Sequence, residues 1–192
     1  MQPRSSSPMR DLYPPGMADS STPTVLLSEA EIQRVVIDLA TRIAPVIDDD
    51  TVAAVLLTGG LWFAADLTRA LSRVGRNVRF DALWLASYGD GQSSRGRIDV
   101  HAGYQRPITG RRVLILDDVF DTGLSLAEAV RITREAGASE VLTCVFARKP
   151  WPRPRAAEPD FVGWEAPNRF LVGYGLDQAG SLRGLPDICA LD

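Results

Sequence analysis

The amino-acid sequence predicts an α/β fold, an open and mostly parallel sheet flanked by helices. Three observations carry this. Short runs of consecutive apolar residues, such as TVAAVLL at 51–57 and the VLIL of 113–116, have the length and character of buried strands. Segments with an apolar period near 3.6 alternate with them along the chain. That alternation implies parallel pairing through right-handed crossovers, and 192 residues are enough for one domain with a real core.

Each element follows from local pattern. Residues 1–23 are rich in Ser, Pro and Met without apolar period and are expected to form a disordered tail. Ser28 with Glu31 makes a capping-box pattern ahead of a helix whose Ile32, Val35, Val36, Leu39 and Ile43 share one face. The strand at 51–57 ends in Thr58-Gly59-Gly60, a tight turn. A helix follows over 61–74, with Ala64, Leu67, Leu71 and Val74 on its apolar face. Residues 78–87 form the next strand. The polar, glycine-rich stretch Tyr88–Asp99 is long for a connector and has the character of a lid. Residues 111–116 are a strand ending at Leu116, and 124–138 a helix stopped by Gly137. Residues 140–147 are a fourth strand. The stretch 148–160 carries four prolines and can be neither helix nor central strand. FVGW (161–164) and FLVGYG (170–175) are short final strands.

Composition narrows the function classes. A net charge of −3 gives no global basic field for duplex binding, and no apolar run reaches membrane-spanning length. The N-terminus lacks the apolar core of a signal peptide, so a cytoplasmic protein is expected. Cys144 and Cys189 have neither disulfide-framework nor metal spacing. The single histidine, His101, argues against a Ser-His-Asp triad or a zinc-histidine site. Twenty arginines stand against one lysine, Lys149. A position that keeps a compact ammonium differs chemically from one served by a planar guanidinium. The run Arg148, Lys149, Arg153 and Arg155 reads as a solvated loop.

The stretch VLILDDVFDTGLS (113–125) concentrates the chemistry. Ligands of open α/β sheets sit beyond the carboxyl ends of the strands, which is where Asp117 and Asp118 fall. Asp121-Thr122-Gly123-Leu124-Ser125 then turns into a helix, whose N-terminal N–H groups and hydroxyls form an anion cradle. Carboxylates beside an anion cradle suit a ligand that combines phosphate with vicinal hydroxyls, held directly or through water and Mg²⁺. The stretch therefore reads as a ribose-phosphate site.

The same thirteen residues resemble the phosphoribosyl pyrophosphate (PRPP) signature of type I phosphoribosyltransferases, with Phe120 bulkier than the usual aliphatic residue. FVGWEAPNRFLVGYGLDQAGSLRGLPDI resembles the C-terminal part of the hypoxanthine-guanine phosphoribosyltransferases. ASYGDGQSS resembles that family's mobile loop, and LLTGGLWFAADLTRAL its pyrophosphate loop and following helix. The similarity runs over roughly residues 25–191. It implies a transferase domain over 24–192, with a core of about 45–147 and a hood from 148–192 plus the N-terminal segment.

The family exchanges the pyrophosphate of PRPP for a purine, giving a nucleoside 5′-monophosphate. The resemblance implies that Asp121, Thr122, Gly123, Leu124 and Ser125 hold the 5′-phosphate. Asp117 and Asp118 would face the ribose hydroxyls and, with Asp177, the Mg²⁺. Asp121 stands where the family keeps its acid/base carboxylate beside purine N7. Thr58, Gly59, Ser87, Tyr88 and Arg183 would bind pyrophosphate. Thr58 replaces a lysine common among relatives, in a turn that in the family holds a cis peptide. Lys149 would donate to purine O6, Phe170 would stack on the base, and Leu171 and Asp177 would complete the base side. A 6-oxo group needs a donor, which fits adenine poorly and leaves hypoxanthine, guanine and xanthine. Alternatives are a xanthine-preferring or orotate transferase, and a PRPP-sensing regulator that binds RNA. Expected partners are PRPP and a 6-oxopurine, without membrane or nucleic acid, in a homo-oligomer (dimer or tetramer).

Overall fold

The computed structural model of the chain describes residues 23–87, 98–155 and 158–191. In chain order the elements are β1 (Thr24–Leu27), α1 (Glu29–Ile43), β2 (Val52–Leu57), α2 (Leu61–Arg73), β3 (Arg79–Ser87), β4 (Ile98–Ala102), β5 (Arg112–Phe120), α3 (Leu124–Glu135), β6 (Glu140–Arg148), β7 (Phe161–Glu165), β8 (Phe170–Val172) and β9 (Ile188–Leu191). The main sheet has the order β4-β3-β2-β5-β6-β7. Within it β3, β2, β5, β6 and β7 pair in parallel, and β4 is antiparallel to β3.

The apolar runs are explained by burial on both faces. In β2, Ala53 and Val55 face a core built with Ile32 and Leu39 of α1 and Phe63 and Leu67 of α2. Their neighbours Ala54 and Leu56 face a second core with Leu126 and Ala129 of α3. Since successive strand residues point to opposite faces, a strand covered on both sides must be apolar at every position. Glu31 accepts a hydrogen bond from the Ser28 N–H at 2.9 Å, fixing the start of α1 as the capping pattern predicts.

Four features differ from the sequence reading. β5 does not stop at Leu116 but runs to Phe120. Its pairing with β2 ends at Val55↔Leu116, whereas β6 accompanies it from Asp117↔Val145 to Phe120↔Arg148. FLVGYG is a strand only over Phe170–Val172, because Gly173 (φ +91°), Tyr174 (φ +48°) and Gly175 (φ +99°) turn the chain. β7, placed with the hood in the sequence division, extends the main sheet against β6. It packs under α1, where a Cβ on Gly163 would stand 2.8 Å from Val35 Cγ1. The strands β1, β4 and β9 have no counterpart in the local pattern. β1 and β9 pair with each other across the length of the chain, Thr24↔Ala190, and with β8 form a separate three-stranded sheet.

Among the described residues no helix is long and apolar enough to cross a membrane. Cys144 and Cys189 are both buried and not disulfide-bonded. The expected tail lies outside the described residues but for Pro23. So do Tyr88 and most of the polar loop that follows it.

Candidate active site

The carboxyl ends of β2, β3, β5 and β6 converge at one end of the main sheet, so Thr58, Ser87, Asp117, Asp118 and Lys149 all belong to that end. After Phe120 the chain leaves the sheet at Asp121 and enters α3. Gly123 caps the helix with φ +81°, a left-handed conformation that glycine adopts without a side-chain clash. The helical hydrogen bonds begin with Ala127 N–H to the Gly123 carbonyl at 2.9 Å. Thr122 Oγ1 accepts from Leu124 N–H at 3.4 Å. The earlier N–H groups of this turn lack intrahelical partners, as at any helix start, and with the helix dipole they favour an anion. Asp121, Thr122 and Leu124 are exposed there and Ser125 is half-buried.

Asp117 and Asp118 sit on β5 just beyond the end of its pairing with β2. Asp117 is buried, and its Oδ1 accepts from Asp118 N–H at 3.0 Å. Asp118 is half-buried, with Oδ1 accepting from Val119 N–H at 2.9 Å. Burial, and after it the neighbouring Asp118 charge, holds the Asp117 carboxyl well above the usual carboxylate range. Burial raises Asp118 too, although Arg183 pulls in the opposite direction.

The turn after β2 is packed tightly against this pair. The Leu57–Thr58 peptide is cis. A Cβ on Gly59 would stand 1.8 Å from Asp118 Oδ2, so the backbone and the carboxylate meet only because residue 59 is glycine. From the other side, a Cβ on Gly175 would stand 2.1 Å from the Gly59 carbonyl oxygen. Arg183 closes the group. It donates to the Gly175 carbonyl and pairs with Asp177 Oδ1 at 2.8 Å, while Asp177 Oδ2 accepts from Gly180 N–H at 2.6 Å. Thr58, Gly59, Asp118, Asp177 and Arg183 are thus gathered around one turn. Ser87 is the last residue of β3.

The second half of the site adjoins the helix start. The Lys149 N–H donates to the Phe120 carbonyl at 3.0 Å, which sets the half-buried lysine beside the residue preceding Asp121. Phe170 opens β8, the edge strand of the small sheet, and is 53% exposed, whereas Leu171 is buried. One residue here differs from the sequence reading. The side chain of Arg155 is only 8% exposed. Its Nε donates to the Asp121 carbonyl at 2.8 Å, its Nη2 donates to the Lys149 carbonyl, and its guanidinium lies 4.6 Å above the Phe120 ring. Its position in a proline-broken stretch gave no periodic sign of burial. Arg148 is likewise engaged, with Glu165 and Glu158, so the arginines at the two ends of the basic run are ion-paired.

The donor set fits a hard cation in part. Two adjacent carboxylates, neither ion-paired among the described residues, suit the oxygen ligation that Mg²⁺ requires, and a cation there would relieve their mutual repulsion. Asp177 is committed to Arg183 and Gly180, and among the described residues no three acidic, histidine or cysteine side chains converge as one metal-binding group.

Comparison with known proteins identifies the family. The family model for the phosphoribosyl transferase domain matches residues 27–179. The hypoxanthine-guanine phosphoribosyltransferase of Aquifex aeolicus is 37% identical over 166 residues, covering 85% of this chain and 92% of that protein. The enzyme of the same name from Bacillus subtilis is 34% identical over 168 residues, covering 87% and 92%. Among solved structures, Trypanosoma cruzi hypoxanthine phosphoribosyl transferase superposes with a TM-score of 0.82 at 30% identity, covering 93% of this chain and 95% of its own.

Proposed function

The chain belongs to the phosphoribosyl transferase domain family, and from that premise we propose that it is a purine-salvage enzyme. It joins hypoxanthine or guanine to the ribose of PRPP, releasing pyrophosphate and a nucleoside 5′-monophosphate. The observation that carries this reading is the junction at Phe120. There a single hydrogen bond sets the chain's one lysine, a donor suited to a 6-oxo group, beside the acid-bearing turn of an anion cradle.

In this reading the turn Asp121–Ser125 holds the 5′-phosphate through backbone N–H groups and the hydroxyls of Thr122 and Ser125. Asp117 and Asp118 hold the ribose hydroxyls and, with Asp177, would hold Mg²⁺. Bound Mg²⁺ would offset the charge of the pyrophosphate and ease its departure. The backbone of Thr58 and Gly59, together with Ser87, Tyr88 and Arg183, holds the pyrophosphate. The lysine that relatives place at 58 has no equivalent there, so this contact relies on the turn's own N–H groups and the Arg183 fork. Phe170 stacks on the purine, the Leu171 backbone meets the base edge, and Lys149 donates to O6. As N9 bonds to the ribose carbon, Asp121 accepts the N7 proton, which makes N9 the better nucleophile. The fixed carboxylates stabilise the positive charge that develops on the ribose. The small sheet of β1, β9 and β8, with the segment that leaves β6 at Lys149, is the hood that presents the base-side residues to the core. A homo-oligomer belongs to the same reading. Phe80 and Trp84, on one face of β3, leave an exposed apolar surface suited to a second copy.

The test is product identification. The purified chain with PRPP, Mg²⁺ and hypoxanthine or guanine should yield the monophosphate and pyrophosphate, and excess chelator should abolish the yield. Formation that persists in chelator, or none with any 6-oxopurine, overturns the reading.

A further inference from the structure

We propose that Arg155 is a positioning residue which sets the spacing between Asp121 and Lys149, and that Phe120 is its seat. The inference deepens the function proposed above and rests on it. Two groups bracket the purine in that reading, the carboxylate of Asp121 and the ammonium of Lys149. They belong to different elements, the turn into α3 and the segment that leaves β6. Among the described residues the Asp121 carboxylate has no hydrogen-bond partner of its own, so its place is set through its backbone. The Asp121 carbonyl accepts from Arg155 Nε at 2.8 Å, and the Lys149 carbonyl accepts from Nη2 of the same guanidinium. One rigid fork therefore spans both elements. Nη1 reaches Glu158 Oε1 at 3.4 Å, which commits the third nitrogen.

The chemistry of the fork calls for arginine. Five donors in a fixed plane can serve two carbonyls and a carboxylate at once, which a lysine's single ammonium cannot do at these separations. The plane also needs an aromatic face. Phe120 supplies it, with the guanidinium carbon 4.6 Å from the ring centroid. This accounts for the departure of Phe120 from the aliphatic residue usual at that point of the PRPP signature, since an aliphatic side chain offers no π face. Pro150, Pro152 and Pro154 fix φ along the path that brings Arg155 back to the Lys149 carbonyl. That lowers the entropy lost in closing the loop.

The experiment compares Arg155→Gln, Arg155→Lys, Phe120→Leu, Lys149→Met and the double variant Lys149→Met/Arg155→Gln with the wild-type chain. Loss of the fork should lower kcat with hypoxanthine about tenfold, the scale of a small misplacement of reacting groups. Kd for PRPP should rise by less than kcat falls, because the fork holds only the first residue of the 121–125 cradle and the helical hydrogen bonds that begin at Gly123 do not involve it. Arg155→Lys should fail to restore kcat, and Phe120→Leu should show a smaller loss in the same direction. In the double variant the two losses should not multiply, since Arg155 acts partly through Lys149. Amide hydrogen exchange should quicken in both 119–124 and 149–151 when Arg155 is replaced. Full activity in Arg155→Lys, losses that multiply, or a matching fall in PRPP affinity would each overturn the proposal. Should Arg155→Gln fail to fold, Arg155→Lys and Phe120→Leu carry the same comparisons. If the wild-type chain transfers no purine, the functional reading fails on its own, and the exchange measurement still decides the clamp: unchanged rates in either segment refute it.

Discussion

Replacing Gly59 by alanine isolates the contact between the turn after β2 and the acid pair. The added Cβ would meet Asp118 Oδ2 at 1.8 Å and its Cγ at 2.6 Å. Side-chain Cβ atoms essentially never approach another heavy atom closer than 3.0 Å, so the carboxylate must withdraw by more than an ångström. The obstacle is the end of a short side chain rather than backbone, so the stability cost should sit at the low end for overpacking, about 1 kcal/mol. In a chain of this size that lowers Tm by roughly 2–4 °C. The functional cost is larger, because a displacement of about 1 Å in a positioned catalytic group can cost 10²-fold in rate. Thermal melting and steady-state kinetics with varied PRPP read the two effects separately. A fall in kcat/KM for PRPP of about 10²-fold with a melting shift of a few degrees is expected. Unchanged PRPP kinetics in a folded Gly59→Ala protein would refute the idea that this turn and Asp118 act as one site.

Three further substitutions probe the rest. Asp121→Asn keeps the shape but removes the base, so kcat should fall about 10²-fold or more with PRPP binding kept; rapid-quench turnover at the wild-type rate would place the proton elsewhere. Lys149→Met removes a charged donor worth roughly 1.5–3 kcal/mol, or about one to two decades in purine kcat/KM. Calorimetric Kd for PRPP should not change, and a parallel fall in both parameters would make Lys149 a structural residue. Asp117→Asn tests the buried carboxyl. Because burial and Asp118 raise Asp117 in the folded state, the native protein holds a proton that the unfolded chain loses near pH 3.9, and stability falls as pH rises above that value. The asparagine variant lacks this fall, so its melting advantage should be small below about pH 4 and grow towards neutrality, while activity drops. A melting difference that does not vary between acid and neutral pH contradicts the assignment.

What was legible in the sequence was local. β2 and β5 announce themselves because both their faces are covered, so nothing polar interrupts them until β5 passes the end of its pairing with β2 at Asp117. The cradle is readable because its carboxylates, its left-handed Gly123 and its hydroxyls are contiguous. β1 and β9 were not readable, since β1 exists only by pairing with β9, some 160 residues distant in the chain, and β9 only by lying between β1 and β8. The same holds for Asp118 and Gly59, whose contact joins two strands and a turn. Arg155 is the sharpest instance. Its residue type and its proline-rich surroundings suggest a solvated cation, and only the path of the chain over Phe120 encloses it.

The central claim is that the site selects a 6-oxopurine for transfer to PRPP. The most direct measurement is kcat/KM for hypoxanthine, guanine, xanthine, adenine and orotate at one saturating PRPP and Mg²⁺ concentration. Hypoxanthine or guanine should exceed adenine and orotate by about 10²-fold or more, the discrimination expected where a buried donor is left unpaired by the wrong base. Preference for adenine or orotate, or equal use of all five bases, would contradict the account.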